Sequence, residues 1–260
     1  FSARGPAPIP DILKPDVTAP GVNILAGFSP DSAYSTPGEN FAYLSGTSMS
    51  TPHVAGVAAL LLEAHPEWPP AAVKSALMTT ARQNLTAGTG VARPFDFGAG
   101  HIVPNDATNP GLVYDVTADE YDAREAGLAD DNYEARNFNL PSITVSRLAS
   151  AQTVTRRVTN VDDDSGSYTV AVTAPPVIRI DVVPPSLALA PGQTASFDVT
   201  LTYESGPLDL WRYGSIEWQS EDASVYSPVA VKPTSIVAPD EVAGRGGTGT
   251  LAFDVQFGYS

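Results

Sequence analysis

The alternation of apolar and polar residues changes character near position 143. From Ala55 to Ala64 the run AGVAALLLEA is apolar on every side of a 3.6-residue period, which predicts a helix buried all round in the middle of a domain. From Ala71 to Thr80, Val73, Ala76 and Leu77 share one face and Pro70 suits the first helical position, so a second, half-exposed helix is expected there. Upstream, VNILAGF (22–28) and FAYLS (41–45) read as short strands, and strands leading into helices suggest an α/β layer. Residues 115–137 hold eight acidic residues and read as a helical or irregular connector.

From Ile143 the period becomes two. ITVSRL, TVTRRVTNV, SYTVAVTA, IRIDVV, SLALA, ASFDVTLTY, GSIEWQS and YSPVAV alternate, with turn signals such as DDDSG (162–166) and APG (190–192) between them. Seven or eight short strands at this spacing predict an all-β sandwich. LAFDVQF, after AGRGGTGT, is a strand pattern with no visible partner. The expected organisation is a first unit over 1–115, a connector over 116–140, a sandwich over 141–233, and the start of a further β module or a tail over 234–260.

Composition narrows the function classes. The 260 residues carry 14 Lys plus Arg against 29 Asp plus Glu, a formal charge of −15, which repels phosphate backbones and anionic lipid and argues against nucleic-acid or membrane-surface partners. The apolar stretch Val54–Leu62 is about half of the roughly 20 residues a membrane-crossing helix needs. There is no cysteine, so disulfides, thiol catalysis and thiolate metal sites drop out. Three histidines spaced 12 and 36 apart make no zinc signature, and the acidic runs Asp162–Asp164 and Asp130–Asp131 lack the ligand spacing of a calcium loop, so neither metal nor cofactor is expected. Asn84-Leu85-Thr86 is a glycosylation acceptor only in a eukaryotic source. Trp211 and Trp218, seven apart, read as core and edge rather than as a ligand platform.

The chemistry concentrates in residues 46–56, GTSMSTPHVAG, between FAYLS and the first helix. A helix start leaves backbone N–H groups without intrahelical partners and carries partial positive charge, so Ser48 there offers a hydroxyl beside an anion site, with its own N–H as oxyanion donor. Gly46 lets a substrate backbone approach, and Pro52 is placed within the first turn, where its missing N–H costs little. The competing reading is that Ser48 or Thr47 merely caps the helix.

The string resembles the serine motif of the subtilisin-like serine proteases, with Ser48 at the nucleophile position and Gly46, Thr47, Met49, Pro52, His53 and Gly56 at their usual places. FSARGPAP, LKPDVTAPGVNILAGFSP, HPEWPPAAVKSALMTTA, DFGAGHIVPNDATNPGLVYD, NLPSITVS, TVTRRVTNV and YSPVAV look like further segments of the large plant-type and bacterial subtilases, so the resemblance covers about residues 1–232. It implies an α/β fold, the C-terminal part of a subtilisin-like domain, followed by a fibronectin-III-like sandwich. It also implies a secreted, extracellular hydrolase, a serine endopeptidase acting on protein or peptide substrate. Thr47 would add a weaker hydroxyl contact, and His53 is the motif's structural histidine. Pro69 stands where the family usually carries a helix-capping Ser.

Such enzymes order their triad Asp, His, Ser, yet no histidine precedes Ser48. His53, five residues on, is rotated roughly 140° around the helix. His65 and His101 are expected to be structural, and Asn23 and Asn40 to be turn or strand-edge residues rather than the family's oxyanion asparagine. With Phe1 rather than Met first, the chain is read as a fragment, whose partner is the upstream part of its own polypeptide and which alone is inactive. The competing function is a non-catalytic interaction module built on the sandwich.

Overall fold

The structure, a computed structural model, describes residues 1–32, 38–88, 90–129, 135–239, 249–250 and 252–258. The two upstream strand patterns form β1 (Ile24–Gly27) and β2 (Phe41–Leu44), paired antiparallel with Ile24 opposite Leu44. Helix α1 (Thr47–Ala64) follows β2 after two residues, and α2 (Pro70–Thr79) starts on its proline, with no side-chain cap from Pro69. A short hairpin, β3 (Thr86–Ala87) with β4 (Gly90–Val91), and two single-turn helices, α3 (Pro94–Phe97) and α4 (Pro104–Ala107), lead to β5 (Leu112–Val113). The acidic connector contains α5 (Ala118–Ala129), opened by a reciprocal cap. Glu120 accepts from the Thr117 N–H at 2.8 Å, and the Thr117 hydroxyl accepts from the Glu120 N–H at 3.3 Å.

The eight alternating patterns are all strands: β6 (Ile143–Leu148), β7 (Ala151–Asn160), β8 (Gly166–Thr173), β9 (Ile178–Val183), β10 (Ser186–Leu189), β11 (Thr194–Tyr203), β12 (Arg212–Gln219) and β13 (Ser224–Pro233). They build a five-stranded sheet in the order β10-β8-β12-β13-β6 and a four-stranded sheet in the order β5-β7-β11-β9. One apolar cluster joins the two sheets, with Val154, Val158, Phe197, Val199 and Leu201 from one and Tyr168, Ile216, Trp218, Val225 and Val229 from the other. The Phe197 and Trp218 rings meet edge to face at 5.0 Å. Trp218 is fully buried and Trp211 half buried, as core and edge. The period-two register explains the cluster, since every second residue of each strand points inward.

Both helix burials are the reverse of the sequence expectation. In α1 Leu61 alone is buried, while Leu60 is 60% and Leu62 44% exposed. In α2 every residue from Ala71 to Thr79 except Lys74 is buried. The cause is position: α2 is in contact with α1, α4, β5 and β13, whereas α1 packs on α2 and on Val17 and Ala19. Buried Ser75 of α2 accepts the Tyr114 N–H at 2.8 Å, and the Tyr114 hydroxyl pairs with Ser227 of β13 at 2.8 Å. Residues directly after β5 therefore tie α2 to the β part. A second correction concerns LAFDVQF, whose last two residues find a partner in their own chain: β14 (Ile236–Val237) pairs with β15 (Gln256–Phe257), and Leu251 lies outside the described residues.

Candidate active site

Gly46 is the N-cap of α1, so Thr47 and Ser48 are its first two helical residues. Both are exposed, and no side chain caps this helix end, which removes the reading of either as a mere cap. The first intrahelical bonds run from the Met49 and Ser50 N–H groups to Gly46 O at 3.1 and 3.3 Å. The N–H groups of Thr47 and Ser48 meet no acceptor among the described residues, and the Ser48 hydroxyl makes no hydrogen bond with them. A primary alcohol thus stands beside two free, aligned N–H dipoles, an arrangement suited to a negatively charged oxygen.

Pro52 lies deeper than expected. It is the sixth residue of α1 and sits inside the helix, beyond the first turn. Its missing N–H leaves the Ser48 carbonyl without its i+4 donor. Side chains cover the adjacent carbonyls: the Thr51 hydroxyl donates to Thr47 O at 2.9 Å, and His53 Nδ1 lies 2.8 Å from Met49 O. Half-buried His53 is thereby bonded back to its own helix rather than toward Ser48.

The two glycines of the motif are not needed by this chain's own packing. A Cβ at Gly46 would meet nothing nearer than Met49 Sδ at 3.7 Å, and one at Gly56 nothing within 4 Å. Gly56 faces out from mid-helix, where glycine costs about 1 kcal/mol against alanine.

The other histidines are held by structure. His65 caps the C-terminus of α1, its Nε2 2.8 Å from Thr108 O and its ring stacked on Trp68 at 3.9 Å. His101 exchanges two 2.9 Å backbone bonds with Arg82, and burial, with a smaller push from Arg82, lowers its pKa below 6.5. Asn23 sits in a turn with φ 53°, and Asn40 O accepts the Phe28 N–H at 2.8 Å beside the hairpin. The Lys74 ammonium, 3.0 Å from Asp16, is lowered in pKa by burial, which outweighs the attraction of Asp16.

Among the described residues no three His, Cys, Asp or Glu gather as metal ligands, and no helix is long and apolar enough to cross a membrane. Asp162 folds into its own turn, its N–H donating to Asn160 Oδ1 at 3.0 Å, and burial raises its carboxyl pKa. Asp130 and Asp131 lie outside the described residues. A groove of about 640 Å³ between the end of α2 and the β12–β13 turn does not reach Ser48. The residues that composition and spacing did not single out are Ala19, Gly21, Ser45 and Ser50, which with Gly46 and Asn23 form three hydrogen bonds around the start of α1. Nothing local in sequence pairs positions more than twenty apart.

Residues 1–100 match the model of the Subtilase family, and residues 137–231 match that of a Fibronectin type-III domain. Subtilisin-like protease SBT2.5 of Arabidopsis thaliana is 41% identical over 244 residues, covering 79% of this chain and 30% of that protein. SBT1.7 of the same plant is 40% identical over 270 residues, 90% of this chain and 36% of the relative. The chain spans about a third of the length of the curated relatives it matches.

Proposed function

Because this chain belongs to the subtilase family, we propose that it carries the nucleophile of a secreted serine endopeptidase whose remaining catalytic groups lie in another segment of the polypeptide. Ser48 is that nucleophile. Its Oγ attacks the scissile carbonyl carbon as a histidine base takes the hydroxyl proton, and the resulting oxyanion accepts the Ser48 N–H. Thr47 adds a weaker hydroxyl contact. Collapse expels the amine, which takes the proton from the histidine, and water then hydrolyses the acyl-enzyme. Gly46 leaves room for substrate backbone, and Met49, Pro52, His53 and Gly56 are structural members of the motif. The two facing sheets over 141–233 are read as a fibronectin-III-like sandwich.

One observation carries this reading: an exposed serine hydroxyl at the mouth of a helix whose first two N–H groups meet no acceptor among the described residues. Three features support a partner segment. Each of the three histidines in this chain is engaged elsewhere or positioned after the helix start. The two elements that flank Ser48 leave large apolar side chains open, with Phe41 64% and Tyr43 68% exposed on β2 and Leu60 60% exposed on α1. Gly46 and Gly56 leave room that none of the described residues fills.

The test is fluorophosphonate labelling, with mass spectrometry of the Ser48 peptide, in the 260-residue chain and in the longer protein. Labelling of the longer protein, lost in Ser48→Ala, and none in the chain alone is the expected result. No labelling in either overturns the protease reading in favour of an interaction module.

A further inference from the structure

The chain on either side of Ser48 is held by bonds that all reach back to one short stretch. Ser50 Oγ donates to Ala19 O at 3.1 Å, Gly46 N–H to Gly21 O at 2.8 Å, and Asn23 N–H to Ser45 Oγ at 2.8 Å. Ser48 and Thr47 take no part, so among the described residues their N–H groups and hydroxyls meet no partner while their neighbours are tied. Gly21 is buried, and a Cβ there would run into Ser50 Oγ and come within 2.9 Å of Gly46 O, so the close approach requires glycine. Asn23 takes a left-handed φ of 53°, a conformation asparagine tolerates better than most residues, and this aims its N–H at Ser45.

The stretch is itself anchored. The Thr18 N–H donates to Gly100 O at 2.8 Å, and Thr18 O accepts the Ile102 N–H at 3.0 Å. Val17 and Ala19 pack on the cluster of Leu61, Val73, Ala76, Leu77, Ile102 and Ala107. Leu61 belongs to the same helix as Ser48, so one post braces both the mouth of α1 and its far end. The ordinary restraints of a helix start are missing here, since α1 has no side-chain cap and Pro52 withholds the donor that would hold the Ser48 carbonyl.

We propose that residues 19–23 form a clamp that positions Ser48, with Ser50 and Gly21 as its positioning residues. The proposal rests on the reading of Ser48 as nucleophile. An attacking oxygen and its oxyanion donor must be held within a fraction of an ångström of their productive places, and misplacement is felt mainly in the transition state. Loss of the clamp therefore lowers the rate of acylation more than it weakens substrate binding.

The experiment compares Ser50→Ala, Gly21→Ala and Thr80→Ala in the longer protein that contains this chain. Thr80→Ala removes a helix-end hydroxyl, bonded to Ala76 O at 2.7 Å, that is remote from Ser48. The readouts are the second-order rate of fluorophosphonate acylation at Ser48, kcat and KM on a peptide substrate, and the unfolding midpoint. Ser50→Ala is expected to lower acylation and kcat about tenfold, with KM within about twofold and a midpoint matching Thr80→Ala. Gly21→Ala is expected to act in the same direction and more strongly; if it does not fold, Ser50→Ala decides alone. Acylation of Ser50→Ala at the wild-type rate, with the wild type labelled, overturns the clamp and spares the nucleophile. A wild type that is never labelled overturns both.

Discussion

Met49 follows Ser48 directly and is half buried, its Sδ 3.7 Å from where a Gly46 Cβ would stand. Oxidation to the sulfoxide would place a polar, bulkier group beside the two free N–H dipoles. Mild peroxide is therefore expected to slow turnover of the longer protein in step with sulfoxide formation at Met49, and Met49→Ala to resist it. Unchanged turnover at full oxidation of Met49 would rule this out. His101 gives a second prediction. Burial lowers the ring's pKa in the folded state, so the unfolded chain takes up a proton at a higher pH. The neutral ring's stabilisation is complete above 6.5 and lost as pH falls through the lowered folded value. His101→Gln should thus lose less stability than the parent between about pH 7 and about pH 5 in denaturant melts. Equal losses would show that the ring titrates alike in both states.

Helix α1 carries a glycine whose freedom its own chain does not use. Gly56→Ala is expected to stabilise the 260-residue chain by about 0.5–1 kcal/mol, because no atom of the described residues lies within 4 Å of the added methyl and alanine restricts the unfolded chain. In the longer protein the same change should be neutral or destabilising if another segment packs on that face; paired melts of the two lengths decide. In α2 the opposite holds. Ser75→Ala leaves the buried Tyr114 N–H without its acceptor and is expected to cost about 1–3 kcal/mol in the same melts. The contrast shows a limit of periodicity. An all-round apolar run says that a helix will be covered, and α1 is apolar all round, but the cover is a property of what else is present. α2, whose apolar face looked one-sided, is enclosed because alanine and serine fill its other faces tightly enough for β5 and β13 to approach.

The two parts of the molecule are joined through Tyr114. Its ring lies in the shared β core, its N–H meets α2, and its hydroxyl meets Ser227 in the opposite sheet. Burial pushes that hydroxyl's pKa up to about 12, so it stays a neutral hydroxyl at ordinary pH. Tyr114→Phe and Ser227→Ala should each cost about 1–2 kcal/mol, and the double variant less than their sum, since each single change strands one buried partner. Strict additivity would mean the pair is not coupled. The reasons that make this contact invisible beforehand are general: residues 114 and 227 are linked only when two sheets close face to face.

What could be read from residues alone was whatever depends on near neighbours along the chain. The period-two runs became β6 to β13, Pro70 opened α2, and GTSMSTPHVAG put Ser48 at the start of a helix, because pleat, fixed proline φ and helix ends are set within a few residues. Folding in three dimensions determined which helix was buried, where LAFDVQF found its partner, that Pro52 falls past the first turn, and that Ala19, Gly21 and Asn23 brace the Ser48 turn. These depend on contacts between residues about twenty to more than a hundred positions apart, and such pairings follow from competition among surfaces for burial rather than from any local pattern.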